Sequence, residues 1–118
     1  MHPVLIDSKN RPQGGAFKSL ADAGIPYVVF VEPQDERLYK EFGLPGSPEF
    51  VVIDANDQGL AYVRQKTLEY ARAKGIEWWW LLDDDIQGFD VRVRKGPGKF
   101  GTQKTDARTA LEAAEKLI

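Results

Sequence analysis

The chain contains no cysteine. Disulfides, thiolate metal sites and cysteine nucleophiles are thereby excluded. Its single histidine is His2, which at the chain end reads as a frayed terminal residue rather than a ligand. A zinc site of the His and Cys type is ruled out with it. No apolar stretch approaches the roughly 20 residues that span a bilayer. The first residues lack the basic and then apolar pattern of a secretory signal, so a cytoplasmic, membrane-free protein is expected. No Gly-Lys-Ser/Thr ending follows Gly14-Gly15, and no GxGxxG follows the first apolar run, so neither a Walker loop nor the usual dinucleotide fingerprint is present. The net charge is −2, so no global basic field marks a nucleic-acid binder, although a local basic patch stays open.

What remains is a chain of 118 residues, 42% apolar and 29% charged, enough for one globular domain. It is organised around Trp78-Trp79-Trp80-Leu81-Leu82-Asp83-Asp84-Asp85-Ile86. A continuous apolar run led by aromatics reads as a strand buried on both faces. Three adjacent carboxylates cannot share that burial, so they must stand where the strand leaves the sheet. They repel one another unless something positive joins them, and a divalent cation held by hard oxygen ligands is the natural candidate. An acidic turn that caps the next element is the plainer alternative.

Three further apolar runs precede it, at 3–7, 27–31 and 50–53, each followed by turn formers. Between them, helical spacing appears over 16–23, about 35–42 and 60–74, with Gly24, Gly43 and Gly75 as stops. In the last of these helices Leu60, Val63, Leu68, Tyr70 and Ala71 are available for packing, and the fourth strand is expected over 77–82. Strand and helix alternating at this spacing mean repeated βαβ units: an α/β fold with a mostly parallel, Rossmann-like sheet and helices on both faces. The texture then changes. Val91-Arg92-Val93-Arg94-Lys95 alternates apolar with basic residues and reads as a half-exposed edge strand, its charges more readily a solvated edge than a nucleic-acid contact. Residues 96–101 read as a flexible loop, and a last helix runs over 107–118 behind an N-cap at Thr105 or Asp106. A single domain over 1–118 is expected, with βαβ units over 1–90 and the edge strand, loop and terminal helix over 91–118.

In open parallel sheets ligands bind beyond the carboxyl ends of the strands. The loops there would bring together Ser8, Lys9, Asn10 and Arg11, then Glu32, then Asp54, Asp57, Gly59 and Arg64, then Asp83, Asp84 and Asp85. Carboxylates that hold a cation, with Arg and Lys to neutralise the remaining charge, suit a phosphate ester bridged to a metal. Read singly, each loop has a duller account: Ser8 to Gly15 as a solvated turn, and Arg64 as a helix-surface residue.

Taken in order, the residues resemble a known family. Val4-Leu5-Ile6-Asp7-Ser8-Lys9-Asn10-Arg11-Pro12, Tyr27-Val28-Val29-Phe30-Val31-Glu32-Pro33, Asn56 to Arg64, and Gly75 to Asp85 match the plan of the GT-A glycosyltransferases. There a hydrophobic strand ends in the DxD motif. The Ser-Lys-x-Arg start, the Phe-Val-Glu-Pro strand end and Leu-Asp-Asp-Asp-Ile look most like the TET/JBP-associated glycosyltransferase group. These proteins are common in phages and linked to modification of hydroxymethylated pyrimidines in DNA. The resemblance implies a GT-A sheet and a nucleoside-diphosphate sugar donor, UDP-linked, with Mn²⁺ or Mg²⁺. It implies Asp83 and Asp85 as the metal pair, Asp83 also nearer the ribose, and Asp84 as the intervening residue. It gives Ser8, Arg11 and Glu32 to the nucleotide, and Gly59 and Arg64 to the nucleotide and diphosphate. Modified DNA would be the acceptor, and the location the host cytoplasm if the chain is phage-encoded.

GT-A enzymes are usually longer, and their C-terminal half supplies the acceptor contacts and, in inverting enzymes, the base. A chain truncated at its C-terminus is therefore expected, with no assignable catalytic residue and with a second copy or a partner chain completing the site. The alternatives that stay open are a non-catalytic nucleotide-sugar binding module, a nucleotidyltransferase, and a response-regulator-like acidic pocket built on Asp7 and Asp54.

Overall fold

A computed structural model describes residues 1–117. Strands β1 (Val4–Asp7), β2 (Val28–Val31), β3 (Glu49–Val52) and β4 (Trp80–Asp83) form one parallel sheet in the order β3-β2-β1-β4. Helix α1 (Gly15–Asp22) links β1 to β2, and a single 3-10 turn (Pro33–Asp35) runs into α2 (Glu36–Phe42) on the way to β3. Helix α3 (Leu60–Ala73) carries the chain from one edge of the sheet to the other. The first three strands are rich in β-branched and aromatic residues, which fit a pleated, covered surface.

Alternation along the strands splits the core into two layers. Val4, Ile6, Val29 and Val31 face Phe17 and Leu20 of α1, Tyr39 of α2, and Ala107 and Leu111 of α4 (Ala107–Glu115). Leu5 and Phe30 face Tyr62, Val63 and Tyr70 of α3. Helices thus cover both faces, as the apolar runs predict. In α3 the buried positions are Thr67 and Ala71; Leu60, read as available for packing, is 55% exposed at the helix start.

Two expectations are corrected after residue 76. The Trp run is not a strand buried on both faces. β4 begins only at Trp80 and is an edge strand of the sheet, its Trp80, Leu81 and Leu82 half-buried. Trp78 and Trp79 precede the ladder. Trp79 packs on the α3 layer and Trp80 on the α1 layer, while Trp78 stands edge-on to Trp80, ring centroids 5.0 Å apart. Side-chain packing, not pairing on both sides, accounts for that apolar run.

The basic segment is not an edge of the main sheet either. β5 (Phe89–Gly96) pairs antiparallel with β6 (Lys99–Thr105) in a separate two-stranded ribbon, closed by a two-residue Pro97-Gly98 turn where a flexible loop was expected. Beyond it, Asp106 caps α4 by accepting from the Thr109 amide at 2.9 Å. The expected end of this helix at Ile118 lies outside the described residues.

α4 is fastened to the start of the sheet by Glu115, which accepts from the His2 amide at 2.9 Å and from the Trp80 indole at 2.8 Å. His2, expected to be frayed, also lies against Trp78, ring centroids 4.3 Å apart. The His2 and Trp80 donors hold the Glu115 carboxyl below its ordinary value, so this stabilisation is present above the unfolded value and is lost as pH falls through the lowered one. Glu115→Gln should lower the melting temperature at neutral pH. The difference from wild type should narrow as pH falls from about 6 to about 3, read by thermal melts at each pH.

Candidate functional site

The chain winds from β1 outward to β3, then returns across the sheet to place β4 on the other side of β1. The carboxyl ends of β1 and β4 therefore flank the topological switch point, where open α/β sheets bind ligands. Asp7 and Asp83 end these strands as direct register partners. Two clefts open there, each of about 260 Å³. One is lined by Asp7, Lys9, Arg11, Asp83, Asp84 and Asp85, the other by Asp7, Ser8, Lys9, Glu32, Gly59, Leu60 and Val63. Asp7 and Lys9 belong to both. Of the residues expected at the site, Asn10, Asp54, Asp57 and Arg64 line neither; Arg64 stands on α3 with its guanidinium 3.7 Å from Asp83.

The three aspartates have different surroundings. Successive residues at a strand end point to opposite sides. The Asp84 side chain turns inward and is 12% exposed, whereas Asp83 and Asp85 are 72% and 64% exposed. One Asp84 oxygen accepts from Ser8 Oγ at 2.6 Å; the other lies 3.2 Å from the Arg11 guanidinium. Ser8 has one hydroxyl proton and gives it to Asp84. The Tyr39 hydroxyl, 2.5 Å from Ser8 Oγ, must then donate to Ser8, and its own oxygen accepts the Arg11 amide at 2.8 Å. Burial pushes the Tyr39 phenol above its ordinary value, which keeps its proton in place for this role. The Asn10 amide donates to Asp35 at 2.9 Å. The loop after β1 is thereby fixed at Ser8, Asn10 and Arg11 by groups from α2, its preceding turn and the β4 end.

The backbone closes the same junction. The Ala16 amide, in the first turn of α1, donates to the Asp84 carbonyl at 3.2 Å. A Cβ at Gly14 would lie 2.3 Å from that carbonyl oxygen, and one at Gly15 would lie 2.6 Å from the Ile86 carbonyl oxygen. Gly14-Gly15 is therefore a close-approach device that seats α1 on the aspartate turn. In the second cleft, Gly59 caps α3 with φ +90° and ψ 170°, backbone that suits glycine alone. Glu32 is 4% exposed. Its Oε1 accepts from the Asp57 amide at 3.0 Å and Gln34 Nε2 at 2.8 Å, while Oε2 lies 3.7 Å from Lys9 Nζ. Lys9 also reaches Asp57 at 2.5 Å.

Asp7 was not singled out by sequence for this role. One of its carboxyl oxygens, Oδ1, is buried with no hydrogen-bond partner. Burial raises its pKa above the ordinary carboxylate value, and the neighbouring Asp83 and Asp84 push the same way, against a backbone bond and Arg64. Among the described residues no three His, Cys, Asp or Glu side chains already converge as a cage. The donor set nonetheless fits a hard divalent cation: an orphaned buried carboxylate oxygen, with two exposed carboxylates beside it and no sulfur or imidazole. Asp54 is turned elsewhere, to the Tyr62 hydroxyl and to Lys66 at 3.2 Å, so it does not join Asp7 in a response-regulator pocket.

Removing one buried hydroxyl should loosen this junction. Tyr39→Phe leaves the Arg11 amide without its acceptor and should cost about 1–3 kcal/mol, read as a lowered urea midpoint at unchanged slope. Asp85→Asn, at an exposed carboxylate, should leave the midpoint where it is.

No described helix is long and apolar enough to cross a membrane. No curated protein and no solved structure matches the chain significantly. The family model described as TET-Associated Glycosyltransferase matches residues 2–118. The chain belongs to the TET-associated glycosyltransferase family and is a glycosyltransferase on a Rossmann-like parallel sheet.

Proposed function

We propose that the cleft between β1 and β4 binds a nucleoside-diphosphate sugar, UDP-linked, with Mn²⁺ or Mg²⁺, and that the sugar passes to a hydroxymethylated pyrimidine in DNA. The observation that carries the donor half is the orphaned Asp7 oxygen at the switch point, in one cleft with Asp83, Asp85, Lys9 and Arg11. Asp7, Asp83 and Asp85 are the residues that would hold the metal. When bound, the metal supplies Lewis-acid stabilisation of the departing diphosphate.

The chain's own groups do the rest. Transfer breaks the bond between the anomeric carbon and the diphosphate oxygen, so negative charge grows on the diphosphate. Arg11 and Lys9 line the cleft, and Arg64 flanks it at Asp83; these cations neutralise that charge. Glu32, the Gly59 backbone, Leu60 and Val63 form the second cleft, which suits a ribose and base: one carboxylate oxygen for a hydroxyl, and apolar side chains for a ring. Asp84 is not a metal ligand in this reading, because Ser8 and Arg11 occupy its oxygens. No residue of the chain is assigned as base. A partner chain or second copy that supplies the acceptor half would join at the open edge of β4.

Thermal-shift titration with UDP, GDP, UDP-glucose and GDP-mannose, with and without Mn²⁺, tests the donor half. A donor at 100 times its Kd stabilises the fold by about 2.7 kcal/mol, a rise of several degrees. The rise should need Mn²⁺, should be largest with a UDP-linked compound, and should fall away in Asp7→Asn and Asp83→Asn. Asp85→Asn should weaken it at least tenfold in ligand concentration. No shift with any compound at millimolar levels would falsify the donor site. Metal-dependent binding without sugar transfer to any hydroxymethylated DNA would leave a donor-binding module.

A further inference from the structure

The β5–β6 ribbon plays no part in the donor cleft, and its charge is unlike the rest of the molecule. Residues 89–105 hold five Lys or Arg and one Asp, a net +4; the whole chain is −2, so the remainder carries −6. A separation of that size within one small chain directs the ribbon toward a polyanion.

The register sorts its side chains. Phe89, Val91 and Val93 are half-buried on one side, and β5 meets α4. On the other side the register pairs are Asp90 with Lys104, Arg92 with Thr102, and Arg94 with Phe100, all exposed. The one acidic residue is thus at the ribbon base opposite a lysine, and the outer part is purely basic. Phe100 is 57% exposed, and the Arg92 guanidinium lies over its ring at 4.7 Å from the centroid. An exposed aromatic held among arginines offers an apolar contact to base edges, while the cations meet phosphates.

Shape narrows the partner. An antiparallel two-stranded ribbon fits the B-DNA major groove, which is about 12 Å wide, whereas the A-form RNA major groove is too narrow for it. The molecule is elongated, 54 Å against 30 and 25 Å in the other directions. The ribbon starts beside the donor cleft: Phe89 follows Asp85 by four positions, at most about 14 Å of extended chain. We infer that the outer face of the β5–β6 ribbon, Arg92, Arg94, Phe100 and Lys104, docks in the major groove of duplex DNA and brings the acceptor to the donor cleft. The delivery role rests on the glycosyltransferase reading above; the docking rests on the charge and register of the ribbon.

Fluorescence anisotropy with a labelled 20-base-pair DNA duplex tests it, comparing wild type with Arg92→Gln/Arg94→Gln/Lys104→Gln. All three side chains are exposed, so the fold should stand, as circular dichroism would verify. Wild type should bind with micromolar Kd at low salt, with a log-log salt slope near about −3 for three phosphate contacts. The variant should bind at least tenfold more weakly, with its slope near zero. Phe100→Ala should weaken binding without changing the slope. Equal binding by the triple variant, no binding by wild type, or equal competition by an RNA duplex would each overturn the inference. So would a wild-type dimer that the triple variant abolishes in sedimentation, since the ribbon would then be meeting the acidic body of a second copy. UDP-glucose with Mn²⁺ should stabilise wild type and variant alike, so failure of the donor cleft and failure of the ribbon are read on separate measurements.

Discussion

The buried Asp84 carboxylate ties together the parts on which the cleft depends. Through Ser8 and Arg11 it holds the loop after β1, and through its own carbonyl it seats the first turn of α1. A carboxylate with so little exposure is tolerable only because each of its oxygens has a partner. Tyr39 extends the arrangement, since its hydroxyl satisfies both Ser8 and the Arg11 amide. Removing any one member leaves a buried polar group unpaired, so the network is worth more as a unit than its bonds taken singly.

That anchoring leaves one oxygen of Asp7 without a partner and Asp83 and Asp85 with only long contacts to Arg64 and Arg11, 3.7 and 3.6 Å. With Asp84 turned inward, Asp83 and Asp85 face solvent, and Asp7 stands next to Asp83 across the β1–β4 register. Adjacent like charges and an orphaned carboxylate oxygen cost stability in the absence of a cation. A protein site that a ligand must complete commonly shows this pattern of local rule-breaking within an otherwise consistent fold. Arg11 serves both demands, paired with Asp84 at 3.2 Å and with Asp85 at 3.6 Å.

Much of this was legible in the residues, and the misses have physical reasons. The strands at Val4, Val28 and Phe50 announce themselves by β-branched and aromatic runs between turn formers, and the helices by their spacing and terminal glycines. The start of β4 was misplaced because Trp78 and Trp79 are apolar for packing against His2 and the α3 layer, not for pairing in a ladder. β6 was missed because Lys99 to Thr105 has little strand pattern of its own and is a strand by virtue of its nonlocal partner β5. Period two places Asp83 and Asp85 opposite Asp84, yet only the tertiary position of Ser8 decides which side is inside. Asp7 becomes a site residue only once β4 is known to lie beside β1. The role of Gly14-Gly15 likewise needs the Asp84 and Ile86 carbonyls to be in place.

The metal and donor are proposed to meet at the β1–β4 switch point, with Asp84 as anchor and Asp7, Asp83 and Asp85 lining the cleft. Amide-resolved NMR with substoichiometric Mn²⁺ and saturating UDP-glucose tests it directly, because the bound ion broadens only nearby amides. Broadening should centre on Asp7 to Arg11 and Asp83 to Ile86, fade through Gly59 to Arg64 and be absent from Gly98 in the ribbon turn. Broadening centred anywhere else, or none with the donor present, would contradict it.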